Sequence, residues 1–150
     1  MQKVVDLICF CLMPNHFHLL LRQKEDEGIF RFVRNFQIGY SKYFNEKRKR
    51  SGALFQGQFK AVRIENDEQL VHVSRYIHLN PYSSYVVKDL SDLEEYPWSS
   101  YPEYVSDIEG ICQKELVFSL IKTKEEYRKF VLDNADYQRK LEAIKHLILE

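Results

Sequence analysis

At 150 residues, with 45% hydrophobic and 14% aromatic content, the chain has the length and apolar composition of a folded domain, which excludes a disordered protein. No run approaches the roughly 20 apolar residues of a membrane span, and the segment from Met1 to Leu12 lacks the charged start and small-residue cleavage site of a signal peptide, so a cytoplasmic protein is expected. Net charge is zero, 22 basic against 22 acidic residues, which taken alone speaks against a nucleic-acid partner.

The charge is unevenly spread. Between Arg22 and Arg63 there are 11 Lys or Arg against 4 Asp or Glu, leaving 11 against 18 for the remainder. Such a split suits a local surface that meets phosphates, although a solvated basic helix gives the same pattern. Cys9, Cys11 and Cys112 are odd in number and form no CxxC spacing, so they read as reduced, buried thiols.

In chain order, Val4 to Leu12 is a short apolar run rich in β-formers, Met13-Pro14-Asn15 a turn, and HFHLLLRQ a second run, together a β-hairpin. Leu19, Leu20 and Leu21 place apolar side chains on both faces, which predicts that the second strand is central rather than at an edge. From Gly28 to Lys49, Ile29, Phe32, Val33, Phe36, Tyr40, Tyr43 and Phe44 recur at three- and four-residue steps, an amphipathic helix. It runs into the basic stretch KRKR, with Ser51-Gly52 as its stop. Phe59 to Ile64 alternates as a strand. Asn66 or Asp67 caps a helix from Glu68 to Asn80, where Pro81 should stop it. Tyr82 to Asp107 reads as loop, with the aromatic cluster YPWSSY, and Lys124 to His146 as a pair of charged helical segments. Strand, strand, helix, strand, helix and a tail predict an α+β sandwich with an antiparallel sheet.

His16 and His18 flank Phe17 on the second strand, so both imidazoles leave the same face and aim at one point. That pair suits a divalent metal; two half-exposed histidines on a polar sheet face would look the same. Tyr76 and Asn80 lie one turn apart on one helix face. Tyr76 has a hydroxyl able to attack phosphorus, and Asn80 offers a hard oxygen that would complete a set of two nitrogens and one oxygen. The plainer alternative makes Tyr76 a core tyrosine and Asn80 a helix terminator. His72, a turn before Tyr76, is a candidate polar neighbour or proton acceptor. His78 lies roughly 200° of helix rotation from Tyr76, which makes it structural or DNA-facing.

For nucleic-acid contact the cationic candidates are Lys47, Arg48, Lys49, Arg50, Lys60 and Arg63, with Arg31, Arg34 and Lys42 beside them. Phe55, Tyr40 and Tyr43 are available for stacking on unpaired bases.

The ordered segments MPNHFHLLL, GALFQGQFKA, SRYIHLNPYSS and WSSY resemble the HUH single-tyrosine transposases, closest to the REP-associated tyrosine transposases within the IS200-like group. They span Met13 to Tyr101. The resemblance implies a ferredoxin-like (RRM-like) antiparallel sheet with helices on one face, a catalytic core over residues 1–95, and an aromatic loop and helical tail over 96–150. It also implies that His16, His18 and Asn80 bind Mg2+ or Mn2+, and that Tyr76 cleaves single-stranded, hairpin-forming DNA through a 5′-phosphotyrosine, leaving a 3′-hydroxyl. The bond energy kept in that link lets strands rejoin without a nucleotide cofactor. A homodimer is expected, and no membrane partner.

Only fifteen residues precede His16, where the resembled proteins carry a further strand and helix, so a sheet lacking its first strand and helix is expected, with an edge open to pairing. Two other functions fit the same residues: a non-catalytic, domesticated nucleic-acid-binding module, and a metallohydrolase using His16, His18 and water.

Overall fold

Among the described residues, two antiparallel strands and six α-helices form an α+β fold: β1 (Val5–Leu12), β2 (Phe17–Gln23), α1 (Gly28–Arg48), α2 (Asp67–Ser83), a 3-10 helix (Leu90–Glu95), α3 (Tyr101–Val105), α4 (Glu115–Leu120), α5 (Lys124–Leu132) and α6 (Ala135–Leu149). The computed structural model describes residues 2–149, with side chains through residue 145; Met1 and Glu150, the outermost residues of the leader and tail expectations, lie outside it. No described helix is long and apolar enough to cross a membrane. The chain divides into two compact units, Met1–Asp6 with Leu21–Arg63, and Leu7–Leu20 with Ile64–Glu150.

In the first unit the open end of the hairpin is pinned electrostatically. The Asp6 side chain, 6% exposed, takes Arg22 Nη2 at 2.6 Å and Lys24 Nζ at 3.7 Å. The Arg22 hydrogen bond holds its carboxyl below the usual carboxylate range. Gly28 opens α1 because nothing larger fits: a Cβ there would lie 2.4 Å from the Val4 carbonyl oxygen. The helix then runs 21 residues with only Gly28 and Val33 buried, so the amphipathic stripe read from the sequence forms a helix that is covered in part, with Tyr40 and Tyr43 exposed. Lys49, not Gly52, takes the left-handed C-cap, its backbone N–H reaching Asn45 and Glu46 carbonyls.

Two expectations fail here for one reason. The segment Phe59 to Ile64 is irregular rather than a strand, and β2 is an edge strand rather than a central one. Alternation decides which face a strand would present, but a strand exists only where a second backbone accepts its hydrogen bonds. Among the described residues no strand forms a β-ladder with this segment, and Val62 is 82% exposed. The described strands make a two-stranded antiparallel sheet within the expected α+β class.

The second unit holds the core. Here β1, not β2, is flanked on both sides, because Cys11 bridges to Ser99, Leu12 N donates to Trp98 O at 2.7 Å and Ser100 N to Phe10 O at 3.0 Å. The cluster WSSY, read as loop, is thus a short third rung on the sheet. Ile8, Cys9, Leu79, Tyr104, Val117 and Tyr127 are among the residues that close over it. All three cysteines are free and buried, as read from the sequence.

Asn66 caps α2 by accepting from Gln69 N at 2.8 Å. Pro81 does not stop the helix, which continues to Ser83. Its missing N–H removes one bond, but every residue from Ile77 to Ser83 is buried, so packing keeps this turn helical. The Pro81 carbonyl is then taken by Val86 N and Val87 N at 2.9 and 3.0 Å. The predicted charged helical pair is α5 and α6, whereas the short α3 and α4 had no periodic signal long enough to read.

Candidate active site

The β1–β2 turn and α2 meet in the second unit at a cleft of about 620 Å3 lined by His16, His18, Tyr76, Asn80, Glu142 and Lys145, with Met13, Pro14, Asn15, Ser84 and Val86 at its margin. The turn is closed by Met13 N donating to His16 O at 2.8 Å, which sets His16 immediately before β2 and His18 one residue inside it. Their rings stand edge to face with centroids 5.1 Å apart. Asn15 Oδ1 lies 2.7 Å from His16 Nδ1, so a hydrogen on that nitrogen has an acceptor and Nε2 is the ring nitrogen not engaged by Asn15. His18 is half-buried; burial first, and His16 second, lower its pKa, so its imidazole is neutral at physiological pH.

From α2, the Tyr76 ring packs edge-on against His18 at 5.7 Å. Its hydroxyl donates to Glu142 Oε1 at 3.2 Å. Burial, then the Glu142 charge, raise the Tyr76 pKa, while a hydrogen bond from the Asn80 side chain works the other way. Tyr76 therefore rests as the protonated phenol. Asn80 is 2% exposed, and Ser84 Oγ lies 3.5 Å from its Oδ1. Two imidazoles, an amide and a phenol, brought from segments about 60 residues apart, thus share one opening. Among the described residues no group of three or more His, Cys, Asp or Glu is gathered for a metal, so a cation here would rely on the two histidines and on the amide oxygen of Asn80.

His72 is not part of this cleft. Its Nδ1 meets Arg75 Nη2 at 2.7 Å, its Nε2 lies 3.8 Å from Glu68, and its ring packs on Phe130. His78 is structural rather than DNA-facing: it is fully buried, with Nδ1 2.7 Å from Tyr127 Oη and Nε2 2.7 Å from Ser100 Oγ. Tyr127 passes its own hydrogen to Ser74 Oγ at 3.1 Å, so the network is satisfied when His78 carries its proton on Nδ1. Burial pushes the pKa of His78 down to about 3, and it stays neutral.

The cationic candidates all belong to the first unit. Lys47 Nζ lies 5.5 Å over the Tyr43 ring, and Arg48 and Arg50 lie 5.9 and 5.7 Å from the centre of the Phe44 ring. Lys49 is exposed at the helix cap, and Lys60 and Arg63 are exposed in the irregular segment. Tyr40 packs on Phe55 at 6.3 Å.

Glu142 and Lys145 had no counterpart in the sequence reading. They lie more than 60 residues beyond Tyr76 on a helix whose charge pattern looks like any solvated face, so only the fold could reveal them.

A family model described as Transposase IS200 like matches residues 1–80, more than half of the chain. The chain belongs to the IS200-like transposase family. The match ends at Asn80 and so takes in both histidines and Tyr76 but nothing of α6. Membership of this family makes the protein a transposase, a protein of DNA transposition. No curated protein and no solved structure matches it.

Proposed function

We propose that this IS200-like transposase is a single-tyrosine strand transferase of the HUH type, which cleaves and rejoins single-stranded, hairpin-forming DNA with Tyr76 as nucleophile. The observation that carries this reading is the convergence of Tyr76, His16, His18 and Asn80 on one cleft. Tyr76 Oη attacks phosphorus, forming a 5′-phosphotyrosine link as the bond to the 3′ oxygen breaks; a returning 3′-hydroxyl reverses the step. His16, His18 and Asn80 would hold a Mg2+ or Mn2+ ion, which when bound supplies positive charge to the scissile phosphate. The packing of His18 against the Tyr76 ring fixes where the hydroxyl lies, so much of the catalytic work is positioning. The exposed cations of the first unit, Lys47 to Arg50 with Lys60 and Arg63, are assigned to the DNA backbone, and a homodimer is the proposed working form.

The test is incubation with a single-stranded hairpin oligonucleotide and Mn2+, followed by a denaturing gel. A covalent protein–DNA adduct is expected, absent in Tyr76→Phe and after chelation. Binding with no adduct would instead identify a non-catalytic DNA-binding module. Cleavage that survives Tyr76→Phe would identify a hydrolase.

A further inference from the structure

We infer that Glu142, on α6, is the general base of the strand-transfer step, taking the Tyr76 proton as the Oη–P bond forms. This rests on the reading of Tyr76 as nucleophile. Three observations lead to it. The Tyr76 hydroxyl donates to Glu142 Oε1 at 3.2 Å, so the acceptor already sits on the hydrogen that must leave. Glu142 lines the cleft itself, and among the described residues its carboxylate enters no ion pair. One turn before it on the same helix, Gln138 Nε2 donates to the Tyr76 carbonyl at 3.1 Å, so α6 grips the nucleophile by both its backbone and its hydroxyl.

A purely structural role for Glu142 is a poor account, because α6 is docked without it. Gln138 also reaches Ser83 Oγ at 3.2 Å, Arg139 Nε donates to Tyr82 O at 2.9 Å, and the Arg139 guanidinium lies 3.4 Å from the centre of the Tyr82 ring. Tyr82 Oη in turn donates to Asp136 at 2.8 Å. Substituting Glu142 leaves every one of these bonds in place.

The proton inventory closes. In cleavage the Tyr76 hydrogen moves to Glu142, the Oη–P bond forms, the P–O3′ bond breaks, and the departing 3′ oxygen takes a proton from water. In rejoining, the 3′-hydroxyl attacks phosphorus and loses its proton to water, the Oη–P bond breaks, and Glu142 returns its proton to Tyr76.

The experiment compares wild type, Glu142→Gln, Glu142→Ala and Tyr76→Phe, measuring hairpin-DNA affinity by fluorescence anisotropy and the rate of adduct formation by denaturing gel. Glu142→Gln and Glu142→Ala are expected to bind with wild-type or tighter affinity and to form adduct about 100-fold more slowly or worse. Added formate, a small base able to enter the vacated space, should restore part of the rate to Glu142→Ala and none to Tyr76→Phe. Adduct formed by Glu142→Gln at the wild-type rate or faster overturns the assignment, the faster result marking α6 as a block on the site. A slow Glu142→Ala that formate does not help also overturns it. If the wild type itself forms no adduct, the strand-transfer reading falls and this one with it, an outcome separate from the other two.

Discussion

The two compact units put the same kind of side chain to opposite uses. In the second, Tyr101, Tyr104 and Tyr127 are fully buried, with Tyr104 stacked on Phe118, tilted against Tyr127 and donating to the Ile8 carbonyl at 2.6 Å. In the first, Tyr40 and Tyr43 are 45% and 56% exposed on α1, and cations lie over Tyr43 and Phe44. Aromatic rings at helical spacing become core only where a second element covers them. On α1 rings at the same spacing are left partly exposed and lined with cations.

The contrast can be broken by substitution. Tyr104→Ala should cost about 3–5 kcal/mol, read from denaturant unfolding, because it opens a cavity and leaves a buried carbonyl short of a donor. Tyr43→Ala should stay within about 0.5 kcal/mol. Equal midpoints for the two variants would mean that α1 is covered after all.

A smaller effect is expected from charge. Replacing Lys47, Arg48, Lys49 and Arg50 with Gln should weaken single-strand DNA binding by about tenfold or more and lower the slope of log affinity against log salt by up to about 3, with thermal stability nearly unchanged. An unaltered salt slope would remove this face from the DNA path. The smallest effect has the opposite sign. Gly39 lies mid-helix with nothing within 4 Å of a built Cβ, so Gly39→Ala should stabilise by about 0.5–1 kcal/mol. A loss of stability there would reveal a neighbour on the α1 face.

The hairpin, α1, α2 and the α5–α6 pair were legible because each carries a periodic pattern, a turn or a cap that acts locally. The strand expected at Phe59–Ile64 was not, since strand formation depends on a partner elsewhere in the chain. Pro81 misled for the same reason: burial from Ile77 to Ser83 outweighs a local stop signal. In the candidate site, His16, His18, Tyr76 and Asn80 were readable from spacing and motif, and they do share a cleft. Placing His72 on their face relied on helix rotation alone, whereas Arg75 and Phe130 draw its ring elsewhere. Glu142 was beyond reach, because nothing near it in sequence refers to Tyr76.

The grip of α6 on Tyr76 also bears on how such proteins diverge. The groups that would perform the chemistry lie within residues 1–80, the part that matches the family, while the carboxylate that receives the Tyr76 hydrogen bond lies outside it. On the proposal that Glu142 takes the Tyr76 proton, substitutions on this one late helix would alter turnover while leaving the family-matching residues 1–80 unchanged.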